Sequence, residues 1–364
     1  MATTTNRDDA LRAVAALPKG STILLLGATD TGKTTFAHDA VRNAVRETGR
    51  TVALVDADIG QSEAGIPGIV ASAIAGPRDA ALPVRDWPTC DAAFVGATSP
   101  PMRVPAWIAA VSACVRDCLR AGAERVVIDT PGWVSGLAAS DAYAALMMSV
   151  PPDLVLVFER QAEPNPLLKL FEGRAAPPVV ARIVAGIETG RKARATRTAR
   201  RAARLGTYFR DARTHTIPWE QTGFLGAHFA GAPSMAAHLL KFIGDVLGAG
   251  CLYASTLPEN AIHAIIDGDP VSSARHFSPL TEHFGVRSVV VTPARNYQLL
   301  LCGLLDSSGR FLDAGLLQDI DFRANRVTVL TPLRHSSPVT QITFGMLRAR
   351  PDGKELGELR TGTY

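Results

Sequence analysis

The chain contains 364 residues and carries a net charge of +4, with 47% hydrophobic and 20% charged residues. The length fits two domains, and the composition is typical of a globular protein, which excludes a disordered chain, a coiled coil and a disulfide-stapled miniprotein. The sequence contains neither an apolar run of about 18 residues nor the apolar core of a signal peptide, so no membrane segment is predicted. Five cysteines without CxxC pairs argue against a zinc site and favour a reducing compartment, so we expect a cytoplasmic location.

Short apolar runs alternate with helical patterns between residues 20 and 250. The runs read ILLL at 23–26, VALV at 52–55, RVVI at 125–128, LVLVF at 154–158 and VVARI at 179–183. Such runs are typical of strands buried on both faces, and the helical spacing between them predicts helices that cover the sheet. After an N-terminal extension of residues 1–19, we therefore expect an α/β domain over 20–250, with a parallel sheet and helices on both faces.

The pattern changes after residue 250. The later apolar runs, such as AIHAII at 261–266, RSVVVT at 287–292 and RVTVLT at 326–331, are β-like and are separated by turns rich in Gly, Pro and Asp. Few helical periods occur there. Residues 251–364 are therefore predicted to form a smaller, mostly β C-terminal domain.

A complete phosphate-binding motif follows the first strand. It reads Gly27-Ala28-Thr29-Asp30-Thr31-Gly32-Lys33-Thr34-Thr35, which is GxxxxGK[ST] between a strand and a helix. The glycines allow backbone amides to curl around a phosphate, and the helix N-terminus adds its positive end. Lys33 is expected to reach the β- and γ-phosphates, and the Thr34 hydroxyl is expected to bind Mg²⁺. The first domain is thus predicted to be a P-loop NTPase fold.

The nucleotide is predicted to be ATP. The base-reading NKxD motif of GTPases is absent from the sequence. The additional early lysine of the dimerising partition ATPases is absent as well, because that stretch reads Gly27-Ala28-Thr29. A site formed by one chain is therefore favoured over a site shared between two.

Carboxylates follow two further strands. Asp56 and Asp58 come after the strand at 52–55, and residues i and i+2 of a strand point the same way. One of them is expected to help hold the metal and the other to accept the proton of an attacking hydroxyl, as in kinases generally. Asp129 follows the strand at 125–128 like a Walker B carboxylate. Near it, Trp133 is either a core residue or a platform on which a base stacks.

A basic segment reads RKARATRTARRAAR over residues 191–204 and contains no acidic residue. The alanines favour a helix, with Arg197, Arg201 and Arg204 on one face. Such a run is often only a solvated helix face. Because the rest of the chain is almost neutral, the segment is instead interpreted as a helix that covers a nucleotide and attracts a polyanion.

These motifs, in this order, resemble the polynucleotide 5′-hydroxyl kinases related to the kinase subunit of pre-mRNA cleavage and ribosomal-RNA processing. The resemblance covers about residues 20–215 and rests on GATDTGKTT, DADIGQSEAGIPG, FVGATSP, DTPGW and the arginine helix ending in Tyr208-Phe209. It continues weakly through the C-terminal segment. The additional N-terminal β domain of the eukaryotic relatives is not expected in this chain, and the protein partners are left unknown.

The resemblance implies roles for individual residues. Asp58 is the first choice for the group that deprotonates the acceptor, with Asp56 as the alternative, and Asp56 and Asp129 would join Thr34 at the metal. Gln61 would lie beside the acceptor. The segment at about 190–212 would be a lid whose Arg197 acts on the transferring group, and either Arg191 or Lys192 would be its second residue. Further substrate-binding positions would be Thr130, Pro131, Gly132, Trp133, Arg201 and Arg204.

The sequence therefore predicts an ATP- and Mg²⁺-dependent kinase that acts on the 5′-hydroxyl end of RNA or DNA. Two other functions are weighed against it. An ATP-binding RNA-processing scaffold without activity would tolerate loss of the motif set, yet Lys33, Asp58, Trp133 and Arg197 are all present. A small-metabolite kinase would have no need of the basic helix.

Overall fold

The structure is a computed structural model that describes residues 3–159, 165–169, 178–184, 193–227, 233–269, 277–334 and 338–359. The chain divides into two compact units, Met1–Arg204 and Leu205–Tyr364. The sequence placed the boundary at residue 250 instead. The difference arises because the strand Arg213–Pro218 pairs with the strand Arg326–Thr331, which ties this part of the chain to the C-terminal unit.

The N-terminal unit contains an eight-stranded sheet within the described residues. In chain order its strands are β1 (Thr3–Thr4), β2 (Ser21–Gly27), β3 (Val52–Asp56), β4 (Ile69–Ala75), β5 (Thr89–Phe94), β6 (Arg125–Asp129), β7 (Leu154–Glu159) and β8 (Val179–Val184). Their order across the sheet is β1-β8-β7-β2-β6-β3-β4-β5. All neighbours from β1 to β3 are parallel, whereas β4 and β5 are added antiparallel. The predicted parallel sheet is confirmed, with an antiparallel edge that the sequence did not predict.

Helices cover both faces of this sheet, as predicted. The described helices in this part of the chain are α1 (Arg7–Ala16), α2 (Lys33–Thr48), α3 (Val104–Arg120), α4 (Leu137–Ser149), α5 (Asn165–Leu168) and α6 (Arg194–Tyr208). Phe36 of α2 belongs to the same core cluster as Leu25 of β2. Trp107 of α3 belongs to the cluster of Leu24, on the opposite face. The alternation of side chains along β2 thus places one helical layer on each side.

The first residues of the chain are part of the N-terminal unit. Residues 1–19, which the sequence analysis treated as an extension, supply β1 and α1. Thr3 and Thr4 pair with Ala181 and Arg182 of β8, and Ala10 and Val14 of α1 are buried in a core cluster that also contains residues of α2.

The C-terminal unit is mostly β, as predicted. Its strands are β9 (Arg213–Pro218), β10 (Gly223–Leu225), β11 (Gly250–Leu257), β12 (Ala261–Asp267), β13 (Ser288–Pro293), β14 (Leu300–Leu305), β15 (Phe311–Asp321), β16 (Arg326–Thr331), β17 (Gln341–Ala349) and β18 (Glu355–Glu358). One sheet has the order β10-β17-β14-β15-β16-β9 with β18 on β17, and the other has the order β11-β12-β13. The helices α7 (Ala237–Leu247) and α8 (Ser278–Phe284) pack in the core of the smaller sheet.

The topology brings three strand ends together. Strands β2, β6 and β3 are parallel neighbours that end in Gly27, Asp129 and Asp56. Asp56 and Asp129 are direct partners in the register of β3 and β6. The phosphate loop and both carboxylates therefore lie at one edge of the sheet, where ligands bind in open α/β folds. None of the described helices is both long and apolar enough to cross a membrane.

Candidate active site

The phosphate loop connects β2 directly to α2, and close packing fixes its start. A Cβ atom at Gly27 would lie 2.3 Å from the carbonyl oxygen of Phe158 on the adjacent strand β7. Gly32, with φ of 92°, is the N-cap of α2, in a left-handed conformation that glycine adopts without strain. The unpaired amides of the first turn of α2 therefore face the space enclosed by the loop.

Lys33, the first residue of α2, lies across this loop. Its Nζ donates to the carbonyl oxygens of Gly27 at 2.7 Å and Ala28 at 3.0 Å. The residue is only 6% exposed. Burial lowers the pKa of Lys33, and the negative charges of Asp129, Asp58 and Asp30 oppose that effect. An ammonium group is thus held among three carboxylates beside the helix N-terminus.

Asp129, at the end of β6, is 2% exposed. Burial raises the pKa of its carboxyl group to about 7, while the charge of Lys33 and the hydroxyl of Thr34 act in the opposite direction. Its Oδ1 is buried without a hydrogen-bond partner among the described residues. A buried oxygen atom of this kind is costly unless a ligand or an ion satisfies it.

Asp56, the partner of Asp129 across the strands, holds the following loop. Its Oδ2 accepts hydrogen bonds from the Ser62 hydroxyl at 2.9 Å and from the backbone amides of Glu63 at 2.5 Å and Ala64 at 2.9 Å. Its Oδ1 accepts from the amide of Asp58 at 3.3 Å. Burial raises the pKa of Asp56 to about 6. We call residues 57–65 the acceptor loop.

Asp58 and Gln61 lie in the acceptor loop and line the cavity above the phosphate loop. Oδ1 of Asp58 accepts from the amides of Gly60 and Gln61, both at 3.1 Å. The Gln61 side chain donates to the carbonyl oxygen of Gly60 at 2.6 Å. Burial raises the pKa of Asp58, and Lys33 is the largest influence in the opposite direction. Asp58 is therefore oriented through one oxygen atom, and within the described part of the chain its Oδ2 accepts no hydrogen bond.

The segment after β6 packs directly on the phosphate loop. A Cβ atom at Gly132 would lie 2.1 Å from the Thr29 hydroxyl oxygen and 2.4 Å from the Thr29 nitrogen. Thr130 is buried, and its hydroxyl donates to the carbonyl oxygen of Leu25 at 2.6 Å. Pro131 is also buried and accepts a hydrogen bond from Tyr143. These contacts hold the two walls of the site together.

Trp133 is half-buried against the core cluster beneath α3 and α4. It is not among the residues that line the cavity, and neither are Thr130 and Pro131. Of this predicted set, Gly132 alone among the described residues reaches the cavity wall. The sequence left two alternatives open for Trp133, a core residue or a platform for base stacking. In the structure Trp133 packs against the core.

Helix α6 supplies the arginine side of the cavity. Nη1 of Arg197 lies 3.8 Å from Oδ2 of Asp30 in the phosphate loop. Arg201 lines the cavity and donates to the Thr198 hydroxyl at 3.3 Å. Arg204 binds the acceptor loop, with hydrogen bonds to the carbonyl oxygens of Glu63 at 3.0 Å and Gly65 at 3.2 Å. The predicted residues Arg191 and Lys192 lie outside the described residues.

The cavity has a volume of about 640 Å³. Among the predicted residues it is lined by Thr29, Asp30, Thr31, Gly32, Lys33, Thr34, Thr35, Asp58, Gln61, Gly132, Arg197, Arg201 and Arg204. Sequence reasoning did not single out His38, Asp39, Arg42, Ser62, Glu63, Pro67, Arg200 and Ala203, which also line it. Helical spacing from Thr35 identifies the first three, since i+3, i+4 and i+7 share a face.

Comparison with known proteins identifies the family of the chain. The sequence model of the family described as mRNA cleavage and polyadenylation factor CLP1 P-loop matches residues 27–211, slightly more than half of the chain. The chain belongs to this family. The matched residues include the phosphate loop, the acceptor loop, the segment after β6 and α6.

Relatives of similar length carry a common name. The chain is 28% identical over 354 residues to the polyribonucleotide 5′-hydroxyl-kinase of Thermococcus kodakarensis, covering 96% of this chain and 94% of the relative. It is 25% identical to the enzyme of the same name from Methanocaldococcus jannaschii, covering 97% and 94%. A solved complex of Clp1p with Pcf11p has a TM-score of 0.59 at 12% identity, covering 93% of this chain and 77% of that chain, which shows a shared fold.

Proposed function

We propose that this chain transfers the γ-phosphoryl group of ATP to the 5′-hydroxyl end of RNA. The observation that carries the proposal is that Lys33, Asp58 and Arg197 line one cavity at the mouth of the phosphate loop. The chain's membership of the P-loop family and its full-length similarity to polyribonucleotide 5′-hydroxyl-kinases support this reaction. A phosphate cradle, a candidate base and a candidate lid arginine are the parts that phosphoryl transfer needs.

The triphosphate is bound by residues 27–35. We infer that the phosphate oxygens take the place of the carbonyl oxygens of Gly27 and Ala28 around Nζ of Lys33, while the free amides at the start of α2 bind the β-phosphate. Lys33 then stabilises the charge that develops on the bridging oxygen as the bond to the γ-phosphorus breaks.

The site also fits Mg²⁺. No group of three or more His, Cys, Asp or Glu side chains that could hold a metal occurs among the described residues. A P-loop magnesium would need few protein ligands, because nucleotide phosphates and water would supply most of its oxygen ligands. The unpartnered Oδ1 of Asp129 and the neighbouring Thr34 hydroxyl are suited to hold the ion, directly or through water. When bound, magnesium neutralises phosphate charge. Asp56 was also predicted to bind the metal. Because three donors of the acceptor loop already occupy its Oδ2, we infer that its main role is to hold that loop in place.

Asp58 is our candidate for the general base. Its Oδ2 is available to accept the proton of the RNA 5′-hydroxyl group. The hydroxyl oxygen then attacks the γ-phosphorus in line, and ADP leaves with the electrons of the broken P–O bond. Burial raises the pKa of Asp58, which makes the carboxylate a better proton acceptor than one in water. Gln61, in the same loop, is suited to contact the acceptor.

The arginines of α6 divide into two groups. We infer that Arg197 exchanges Asp30 for the transferring phosphoryl group, because its contact with Asp30 is long. Arg201 faces the same cavity and is suited to bind backbone phosphates of the polynucleotide. Arg191 or Lys192 as a further lid residue stays a prediction. Direct contacts of Trp133, Thr130 and Pro131 with RNA stay predictions too, as does the cytoplasmic location.

DNA with a 5′-hydroxyl end is a second candidate acceptor, since none of the proposed contacts depends on the 2′-hydroxyl group of the acceptor. The inactive scaffold is not favoured, because the three residues expected to do the chemistry are present and surround one cavity.

The test is transfer of label from γ-labelled ATP to matched 5′-hydroxyl RNA, 5′-hydroxyl DNA and a nucleoside, with 5′-phosphorylated RNA as the blank. Labelled RNA with the wild-type protein and none with Lys33→Ala is the expected result. Equal labelling of the nucleoside favours a small-metabolite kinase. ATP binding without transfer to any acceptor favours the scaffold.

A further inference from the structure

Glu63, in the acceptor loop, contacts both the end of strand β3 and helix α6. Its backbone amide donates to Oδ2 of Asp56 at 2.5 Å. Its carbonyl oxygen accepts from Nη1 of Arg204 at 3.0 Å, and its carboxylate accepts from Nη2 of the same arginine at 2.8 Å. One residue therefore joins the end of β3 to helix α6, across 141 positions of sequence.

The acceptor loop is held from two sides by these contacts. Asp56 holds its second half through Ser62, Glu63 and Ala64. On the other side, Arg204 binds Glu63 and Gly65. Both anchors thus hold residues 62–65, and Asp58 and Gln61 lie between this held stretch and Asp56, where the loop begins, so the position of the candidate base depends on both anchors.

Helix α6 also touches the phosphate loop. Arg197 and Arg204 are seven residues apart, which is about two turns, and they lie on the same face of the helix. Arg197 lies 3.8 Å from Asp30 of the phosphate loop, whereas Arg204 forms three hydrogen bonds with the acceptor loop. Among the contacts of the described residues, the helix is therefore held most firmly at the acceptor loop.

Resting on the proposed function, we propose that the Glu63–Arg204 contact is a positioning device for phosphoryl transfer. It sets the distance between the lid arginine over ATP and the base beside the RNA end, so that the two act on the same reacting atoms. In this role Arg204 acts through Glu63 and does not bind the polynucleotide, which replaces the substrate contact predicted for it from sequence. Neither residue is a catalytic residue.

The alternative is an ion pair that only stabilises the fold. Both side chains are partly exposed, 31% for Arg204 and 41% for Glu63, and exposed pairs contribute little to stability. A stabilising role therefore predicts a small change in thermal midpoint and unchanged kinetics. A positioning role predicts a loss of kcat with unchanged ATP affinity.

The variants are Glu63→Ala, Glu63→Gln, Arg204→Ala and the exchanged pair Glu63→Arg/Arg204→Glu. Arg120→Ala is the matched control, because Arg120 belongs to an exposed ion pair with Asp117 at the C-terminal end of α3. For each protein, kcat and KM for a short 5′-hydroxyl RNA, the Kd of Mg²⁺–ATP and the thermal midpoint are measured.

We expect kcat to fall at least about 10-fold in Arg204→Ala and less in Glu63→Ala, which keeps the backbone contacts of Arg204. Glu63→Gln should show the smallest loss, because the amide oxygen can still accept. The exchanged pair restores only the side-chain contact, because a glutamate at position 204 cannot donate to the two backbone carbonyl oxygens, so its kcat should stay close to that of Arg204→Ala. The Kd of Mg²⁺–ATP should change by less than about twofold throughout. Unchanged kcat in both alanine variants overturns the proposal, and so does a parallel loss of ATP affinity.

Hydrogen–deuterium exchange distinguishes this proposal from the proposed function. Arg204→Ala should raise exchange in residues 57–65, although the substitution lies in α6, while Arg120→Ala should leave that segment unchanged. If wild-type protein phosphorylates no RNA, the proposed function fails, and the exchange result still decides whether the contact orders the acceptor loop. Unaltered exchange in Arg204→Ala contradicts the positioning role whatever the activity.

Discussion

Arg197 reaches the phosphate loop through Asp30, with 3.8 Å between Nη1 and Oδ2. The arginine is one third exposed, whereas Asp30 is nearly buried, so the pair lies at the cavity wall. An arginine held near the phosphates by a weak contact can turn to a phosphoryl group at little cost.

Replacement of Arg197 by alanine should lower kcat by about 10²-fold or more, because an arginine that stabilises a transferring phosphoryl group contributes at least this much in related reactions. The KM for RNA should change little. Steady-state kinetics with a short 5′-hydroxyl RNA measure both. As the control, Arg120→Ala removes an exposed arginine that does not line the cavity and should retain wild-type activity. A large KM effect with normal kcat in Arg197→Ala assigns this arginine to the acceptor instead.

Asp58→Asn should lower kcat by about 10²-fold or more and leave ATP binding intact, since the amide cannot accept a proton but its oxygen can still order Gly60 and Gln61. Asp56→Asn is the contrasting variant. It disturbs the acceptor loop directly, so both activity and thermal midpoint should fall. Calorimetric ATP binding and single-turnover transfer measure the two effects. Collapse of ATP affinity in Asp58→Asn would falsify the base assignment and favour a metal role.

The metal-free, nucleotide-free protein should lose stability through Asp129 as the pH rises. Burial raises the pKa of Asp129 from 3.8 to about 7, so between these values the folded state binds the proton more tightly than the unfolded state. The contribution is therefore most favourable below pH 4 and is lost as the pH approaches 7. Urea unfolding of wild type and Asp129→Asn at pH 5 and pH 8, in chelator, should show a relative gain for the variant at pH 8.

The same pair of proteins tests the metal site. Mg²⁺ with ADP should stabilise wild type more than Asp129→Asn, because the variant lacks the anionic oxygen. If the difference in the free energy of unfolding between the two proteins is the same at pH 5 and pH 8, the raised pKa of Asp129 is contradicted. If Mg²⁺–ADP stabilises both proteins equally, the metal role of Asp129 is contradicted.

Gly132→Ala should weaken ATP binding at least about 10-fold. The added methyl group would lie within 2.1–2.6 Å of three atoms of Thr29, which forces the phosphate loop to move. Ser135→Ala, at an exposed position three residues later, is the control. Titration with a fluorescent ATP analogue measures the affinities, and equal values for both variants mean that the loop adapts without loss.

The double variant Arg200→Ala/Arg201→Ala should raise the KM for oligonucleotides and flatten its dependence on salt. Each arginine that binds a phosphate displaces a counterion from the polynucleotide, and an alanine at the same position displaces none. Both side chains line the cavity. KM for a short RNA across a potassium chloride series is the measurement, and kcat at saturating RNA should stay within about twofold. An unaltered salt slope leaves these arginines without a role in binding the polymer.

Much of this site could be predicted from the sequence for one physical reason. Gly27, Asp56 and Asp129 each end a buried parallel strand, and parallel neighbours bring such ends to one edge. The task of Asp56 was not predictable, because the turn that brings Ser62 and Glu63 back to its carboxylate leaves no periodic signal. The Glu63–Arg204 contact depends on tertiary packing alone.

The predicted fold class is confirmed, but the sequence did not predict two features of strand pairing. β4 and β5 run antiparallel on the edge of a sheet that the sequence predicted as parallel, because β4 returns directly after the acceptor loop without a crossover helix. β9 is polar and mostly exposed, so its pairing with β16 was not visible in the hydrophobic pattern. The division between the compact units therefore falls earlier than the change of pattern at residue 250.

The resting bonds of Lys33 bear on how tightly ATP can be held. Its ammonium group already has two oxygen partners, Gly27 and Ala28, before any nucleotide arrives. Binding thus exchanges one set of oxygen ligands for another around the same nitrogen atom. The measured affinity reports the difference between the two sets, so the full attraction of lysine for phosphate is never expressed in Kd. When ADP leaves, the ammonium group of Lys33 can return to the carbonyl oxygens of Gly27 and Ala28. The release of ADP after each transfer therefore leaves no buried charge without a partner.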